Sequence, residues 1–149
     1  MLTNNPKMDL RSDAGLASAL RVSLARLTRR LRRQAAAHSL TPTQLATLAA
    51  VERHSVTTPG ELAELEKVQP PSMTRVIAAL EERGLVARTP HPTDRRQVSV
   101  SVTEAGLKLL KEERRLKEAW LTQRLKELTP EERAVLRQAA PILEKLSKI

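Results

Sequence analysis

The sequence predicts a fold that is mostly α with one small β-hairpin, and three observations carry that prediction. Apolar residues recur three or four positions apart along most of the 149 residues, the spacing that lines them up on one face of a helix. The pattern Thr-Pro-x-Glu/Gln occurs three times, at Thr41–Gln44, Thr58–Glu61 and Thr129–Glu132. Each occurrence puts Thr at a helix N-cap, Pro at the first helical position and a reciprocal acceptor at the third. The clearest strand is Gln97–Val102, where apolar and polar residues alternate as they do in a half-buried strand.

In chain order, residues 1–12 are expected to be disordered or frayed. Leu16, Leu20, Leu24, Leu27 and Leu31 predict a helix over Asp13–Ala37. The three Thr-Pro caps open helices over Pro42–Arg53, Pro59–Glu66 and Pro130–Lys148. After Glu66 the link is only Lys67-Val68-Gln69. The helix that follows carries Met73, Val76, Ile77 and Leu80 on one stripe, with Ser72, Thr74 and Arg75 opposite them at its front, and Gly84 stops it as a left-handed cap. Two helices joined by so short a turn, the second with a polar N-terminal face, make a helix-turn-helix. Leu85–Arg88 reads as a strand that returns as Gln97–Val102. The loop between them, Thr89–Arg96, is too long for a two-residue turn and forms a β-wing. Thr103 caps a helix over Glu104–Leu128. Apolar positions then continue to Ile149, which predicts that the chain ends bury against a second copy in a two-fold homodimer. The expected architecture is a winged helix-turn-helix dimerised through its N- and C-terminal helices. It is one domain over 13–149, with a nucleic-acid-binding lobe at about 41–102 and dimerisation helices at about 13–38 and 103–149.

Charge narrows the function. Lys and Arg number 26 against 17 Asp and Glu, a net charge of +9, which points to a polyanionic partner. The chain has no Cys, which excludes disulfides and thiolate chemistry. His38, His54 and His91 are scattered with no carboxylate cluster, so no metal or other cofactor is expected. No nucleophile elbow, phosphate loop or carboxylate pair suggests an enzyme. Without a long apolar run or a secretory signal, a cytoplasmic location with no membrane contact is expected. One Trp and no Phe or Tyr leave RNA bases little to stack on. The partner is therefore read as double-stranded DNA, bound either sequence-specifically or, as the alternative, by a non-specific architectural nucleic-acid-binding protein.

Ser72, Thr74 and Arg75 are the candidates for base and nearby phosphate contacts, since a helix with a short polar front and an Arg fork suits a major groove. Gln69 and Thr58, with Thr41 and Thr43, sit at helix starts, where phosphate contact competes with plain capping. Asp94 is expected to brace the wing by pairing with an Arg, and adjacent Arg95 to meet phosphate. The Arg26, Arg29, Arg30 and Arg33 cluster has three open roles: ion pairs with Glu112, Glu113 or Glu118, an extension of the basic field, or an anion pocket.

The run from Thr74 to Gly106 resembles the MarR family of winged-helix transcriptional regulators. Thr74-Arg75-Val76 through Leu80-Glu81 to Gly84-Leu85-Val86 and Arg88 is similar to the family's recognition helix and first wing strand. Asp94-Arg95-Arg96 with Val100, Val102, Thr103 and Gly106 is similar to its wing signature D-x-R-x-x-x-V-x-L-T-x-x-G, with Val102 in place of the usual Leu. The resemblance implies an obligate homodimer on a pseudo-palindromic operator, acting as a repressor released by a small anionic or phenolic ligand. It also implies that Arg96 enters a minor groove flanking the site that the recognition helix reads.

Overall fold

In the computed structural model, which describes residues 9–55 and 57–149, the three Thr-Pro helix starts all close into capping boxes. Each Thr hydroxyl accepts the N–H three residues on, and each Thr N–H donates back to that residue's side chain, over 2.9–3.3 Å. The elements in order are α1 (Asp13–Arg33), α2 (Pro42–His54), α3 (Pro59–Leu65), α4 (Pro70–Glu82), β1 (Val86–Pro90), β2 (Val98–Val102), α5 (Glu104–Lys126) and α6 (Pro130–Ser147). Residues 1–8, most of the segment expected to fray, lie outside the described residues. Asp9 belongs to a turn in which Ser12 Oγ caps α1 by accepting the Gly15 N–H at 3.0 Å.

Most element ends fall within one or two residues of the sequence reading, with α5 ending at Lys126 rather than Leu128, and the differences at α1 and β1 have a clear physical reason. Helix α1 ends at Arg33 rather than Ala37, and Ala36–His38 form a separate 3-10 turn. The chain reverses there because Ser39 takes a left-handed φ of 59°, while His38 Nδ1 accepts the Leu40 N–H at 2.9 Å. Strand β1 starts one residue later and runs two residues further, with Pro90 opposite Val98. Pro is tolerated because β1 is an edge strand. On the other side of β2, Thr57 adds a single-residue antiparallel bridge to Val100, with Val100 N–H to Thr57 O at 2.7 Å.

Contacts divide the chain into two units. The first, Ala35–Arg115, has a core of Leu48, Val51, Leu62, Met73, Ile77, Leu80, Val100 and Leu110, all essentially inaccessible. The stripe expected on α4 is thus the face that packs, with Val76 at its edge. Helices α3 and α4 end in the same way. Val68 N–H bonds Ala63 O and Lys67 N–H bonds Glu64 O, while Leu85 N–H bonds Leu80 O and Gly84 N–H bonds Glu81 O. Both are Schellman turns with a left-handed residue after the cap. It is Gly84 at the end of α4 (φ 73°) but Lys67 at the end of α3 (φ 52°).

The second unit comprises α1, the C-terminal part of α5 and α6. Its lone Trp120 lies under the guanidinium of Arg30 at 5.2 Å and that of Arg124 at 5.6 Å. Neither α1 nor α6 buries a single side chain. Leu16, Leu24 and Leu27 on α1, and Val135, Leu136, Ile142 and Leu146 on α6, stay exposed.

Candidate nucleic-acid interface

Helix α4 presents its front to solvent because both flanks are tied down. Behind it, Met73, Ile77 and Leu80 are buried. At its far end, Arg83 donates to the carbonyl of His38. From the wing, Arg88 Nε pairs with Glu81 at 2.7 Å, fixing β1 to the helix. What remains outward includes Ser72, Thr74 and Arg75, all exposed. The Arg75 side chain has no hydrogen bond or ion pair among the described residues, so its fork of donors is available. Thr74 is partly committed: its hydroxyl donates to Pro70 O at 3.0 Å. It therefore offers a lone pair and a methyl group in this rotamer, and no donor. Gln69 is the N-cap residue of α4 yet makes no side-chain capping bond. With Pro70 and Pro71 lacking N–H groups, Ser72 supplies the one unused backbone donor of that first turn.

Thr58 does not join this exposed set. It is 8% accessible, and its hydroxyl and N–H are both engaged by Glu61. Thr41 and Thr43 are exposed at the start of α2, where Thr41 also serves as a cap.

In the wing, Arg95 and Arg96 are exposed and Asp94 is half-buried. Asp94 braces the loop by accepting the backbone N–H of Arg96 at 3.0 Å, where the sequence suggested a pairing with an Arg side chain. The carboxylate thus fixes where Arg96 leaves the loop without neutralising it. The wing is anchored at its base by Thr103, whose hydroxyl donates to Gly84 O at 2.6 Å and accepts the Gly106 N–H at 3.1 Å. The Thr103 N–H bonds Leu85 O at 3.0 Å.

A family model for the MarR family matches residues 40–98. An HTH-type transcriptional regulator of Mycobacterium tuberculosis is 47% identical over 134 residues, which is 90% of this chain and 94% of the relative. The HTH-type transcriptional repressor MdtR of Bacillus subtilis is 35% identical over 109 residues, 73% of this chain and 68% of MdtR. A crystal structure of a transcriptional regulator from Pseudomonas aeruginosa superposes with a TM-score of 0.83 at 34% identity, covering 92% of this chain and 96% of that one. The chain belongs to the MarR family.

Several residues of this MarR-family lobe escaped the sequence reading. Thr57 donates its hydroxyl to Glu61 at 2.9 Å and the Thr58 N–H donates to the same oxygen at 3.3 Å. These bonds, with the nearby imidazole of His91, hold the Glu61 carboxyl below its ordinary value of 4.5. Glu112 pairs with Arg115 at 2.7 Å, its own helical neighbour, which takes up one of the carboxylates considered for the α1 arginines. A cleft of about 460 Å³ beside α3 is lined by Glu61, Glu64, Pro70 and Gln97 among others. With two carboxylates and no cation in its lining, it offers an anionic effector no counter-charge. Among the described residues there is no cluster fit to hold a metal ion, and no helix is long and apolar enough to cross a membrane.

Proposed function

We propose that this chain is a cytoplasmic, homodimeric, sequence-specific repressor that binds a pseudo-palindromic operator in double-stranded DNA. The observation that carries the reading is the exposed front of α4, where Ser72 and Arg75 stand free opposite a buried stripe. In this reading α4 lies in the major groove. Arg75 makes the principal base contact, Thr74 offers its methyl to a thymine, and Gln69 with the Ser72 N–H takes phosphate. Arg95 meets phosphate, and Arg96 enters the flanking minor groove, where a narrow A·T segment concentrates negative potential. The unburied leucines of α1 and α6 support a second copy as their cover. Two α4 helices about one helical turn apart, roughly 34–36 Å, would read the two half-sites. A small anionic or phenolic effector that releases the operator is part of the same proposal, an anionic one being held outside the acidic cleft beside α3.

Selection of bound duplexes from random DNA, followed by titration of Arg75→Ala and Arg96→Ala, tests this reading. Arg75→Ala is expected to erase about 1–3 kcal/mol of preference at one position of each half-site. Arg96→Ala should weaken binding through the flanks and lower the salt slope by about one counterion. Wild-type affinity and preference in both variants would remove the assigned reading heads.

A further inference from the structure

The wing loop contains a fourth helix-cap-like unit in which histidine stands where threonine stands in the other three. His91-Pro92-Thr93-Asp94 repeats the layout of Thr-Pro-x-Glu: an acceptor, a Pro without an N–H, then two backbone donors. His91 Nδ1 accepts the Asp94 N–H at 3.0 Å and the Thr93 N–H at 3.2 Å. The loop closes through the His91 N–H to Gln97 O at 3.2 Å and the Gln97 N–H to Asp94 O at 3.1 Å. Asp94 then holds the backbone N–H of Arg96. A chain of short contacts thus runs from one imidazole nitrogen to the residue assigned to the minor groove.

We propose that His91 is the positioning residue of the wing: its neutral Nδ1 holds the loop that presents Arg96, and protonating it releases the wing and weakens DNA binding. The inference rests on the DNA reading above for its functional half. A neutral imidazole can accept at Nδ1 only while the proton sits on Nε2, whereas an imidazolium has donors at both nitrogens. Protonated His91 would turn a third donor toward the Thr93 and Asp94 N–H groups, so both backbone bonds are lost, and only the Thr93 hydroxyl, 3.3 Å from Nδ1, could accept the new proton. The charged groups near it are Glu61 on α3, whose carboxylate would attract an imidazolium, and, in its own loop, Asp94, Arg95 and Arg96. Histidine is the ordinary side chain that changes charge in mildly acidic conditions, so the wing would respond to acidification that leaves carboxylates and phosphates ionised.

The test compares wild type, His91→Asn and His91→Ala, all as full chains, on the duplex selected by the wild type. Asn places an acceptor oxygen at the same reach and does not titrate. At about pH 8, His91→Asn is expected to bind within about twofold of wild type, and His91→Ala about tenfold more weakly, the loss of roughly one net hydrogen bond. Between about pH 8 and pH 5.5, wild type should weaken about tenfold relative to His91→Asn, a ratio that cancels effects common to His38 and His54. Wild-type binding by His91→Ala, or parallel pH profiles for wild type and His91→Asn, would overturn the proposal. A second readout needs no DNA. In ¹⁵N NMR of the free protein, the His91 ring should carry its proton on Nε2 at about pH 8, and the Arg96 amide should shift as the ring titrates. A proton on Nδ1, or an indifferent Arg96 amide, also overturns it. If the wild-type chain selects no duplex at all, the DNA reading falls, and the NMR arm still decides whether His91 holds the wing.

Discussion

Gly106→Ala is the substitution whose cost the structure defines most sharply. A Cβ at this position would lie 2.3 Å from Leu85 O and 2.7 Å from Val102 Cγ2. Real contacts of this kind rarely fall below 3.0 Å, so the first turn of α5 must retreat from Leu85. That same carbonyl accepts the Thr103 N–H at 3.0 Å, and Thr103 Oγ1 bridges Gly84 O and the Gly106 N–H. The retreat therefore strains two or three hydrogen bonds worth about 1 kcal/mol each, besides an overpacking penalty of about 1–3 kcal/mol. Alanine regains about 1 kcal/mol of helix propensity. The net expectation is a loss of about 3 kcal/mol, or roughly a 10 °C fall in melting temperature for a chain of this length. Gly84→Ala is the control. Nothing lies within 4 Å of its Cβ position, so only the left-handed φ of 73° is penalised, at about 1 kcal/mol. Thermal and urea unfolding followed by far-ultraviolet circular dichroism, at fixed protein concentration, compares the two. A Gly106→Ala chain as stable as wild type, or no less stable than Gly84→Ala, would refute the close-approach argument.

Lys67→Gly should stabilise the chain, because Lys67 occupies the left-handed position of the α3 turn at φ 52°. Relief of about 1–2 kcal/mol, less the extra freedom of an unfolded Gly, leaves a gain of about 0.5–1 kcal/mol as a raised urea midpoint. An unchanged or lower midpoint counts against that account. Glu61→Gln should flatten the acid limb of stability. The Glu61 carboxyl is held below 4.5 in the fold, chiefly by the Thr57 hydroxyl and then the Thr58 N–H. Its contribution is thus complete above about pH 4.5 and lost as the pH falls through the lower folded value. Parallel acid titrations of wild type and variant would contradict this. Ile142→Glu with Leu146→Glu alters residues 61% and 55% exposed on α6, so a lone chain should tolerate both. Sedimentation should nevertheless show a shift from dimer to monomer and loss of operator affinity; an intact dimer that still binds would sink the α6 interface.

Elements were legible in the sequence where a local rule speaks with several residues at once. The T-P-x-E/Q starts, the α4 stripe and the V-x-V-x-V strand each combine three or more agreeing positions, and each forms where expected. The end of α1 was not legible, because Ala35, Ala36 and Ala37 all favour helix. What stops the helix is a tertiary choice, with Ala35 buried at 3% exposure and His38 turned back onto Leu40. The Thr57 bridge to β2 was equally hidden, since one residue has no period. At the candidate interface the identities of Ser72, Thr74 and Arg75 were readable but their availability was not, because the fold spends the Thr74 hydroxyl on Pro70 O. His91 was missed because sequence rules assign capping to Ser, Thr, Asp and Asn, and a histidine is first weighed as a metal ligand or a base.

One lobe combines an exposed polar helix face with rigidity. On α4 the exposed polar side chains proposed to read DNA and the packing side chains alternate around one helix, so anything that seats Met73, Ile77 and Leu80 also aims Ser72 and Arg75. The wing has no buried stripe beyond β2, and Val98 at its outer end is itself 39% exposed. Its loop must be ordered by hydrogen bonds instead, and these converge on His91 and Asp94. An element held by packing responds to cavities and overpacking, whereas one held by a few exposed polar contacts responds to protonation and salt. It follows that substitutions behind α4 should change stability and DNA affinity together. Removing the acceptor, as in His91→Ala or Asp94→Ala, should change affinity while leaving the melting temperature close to wild type.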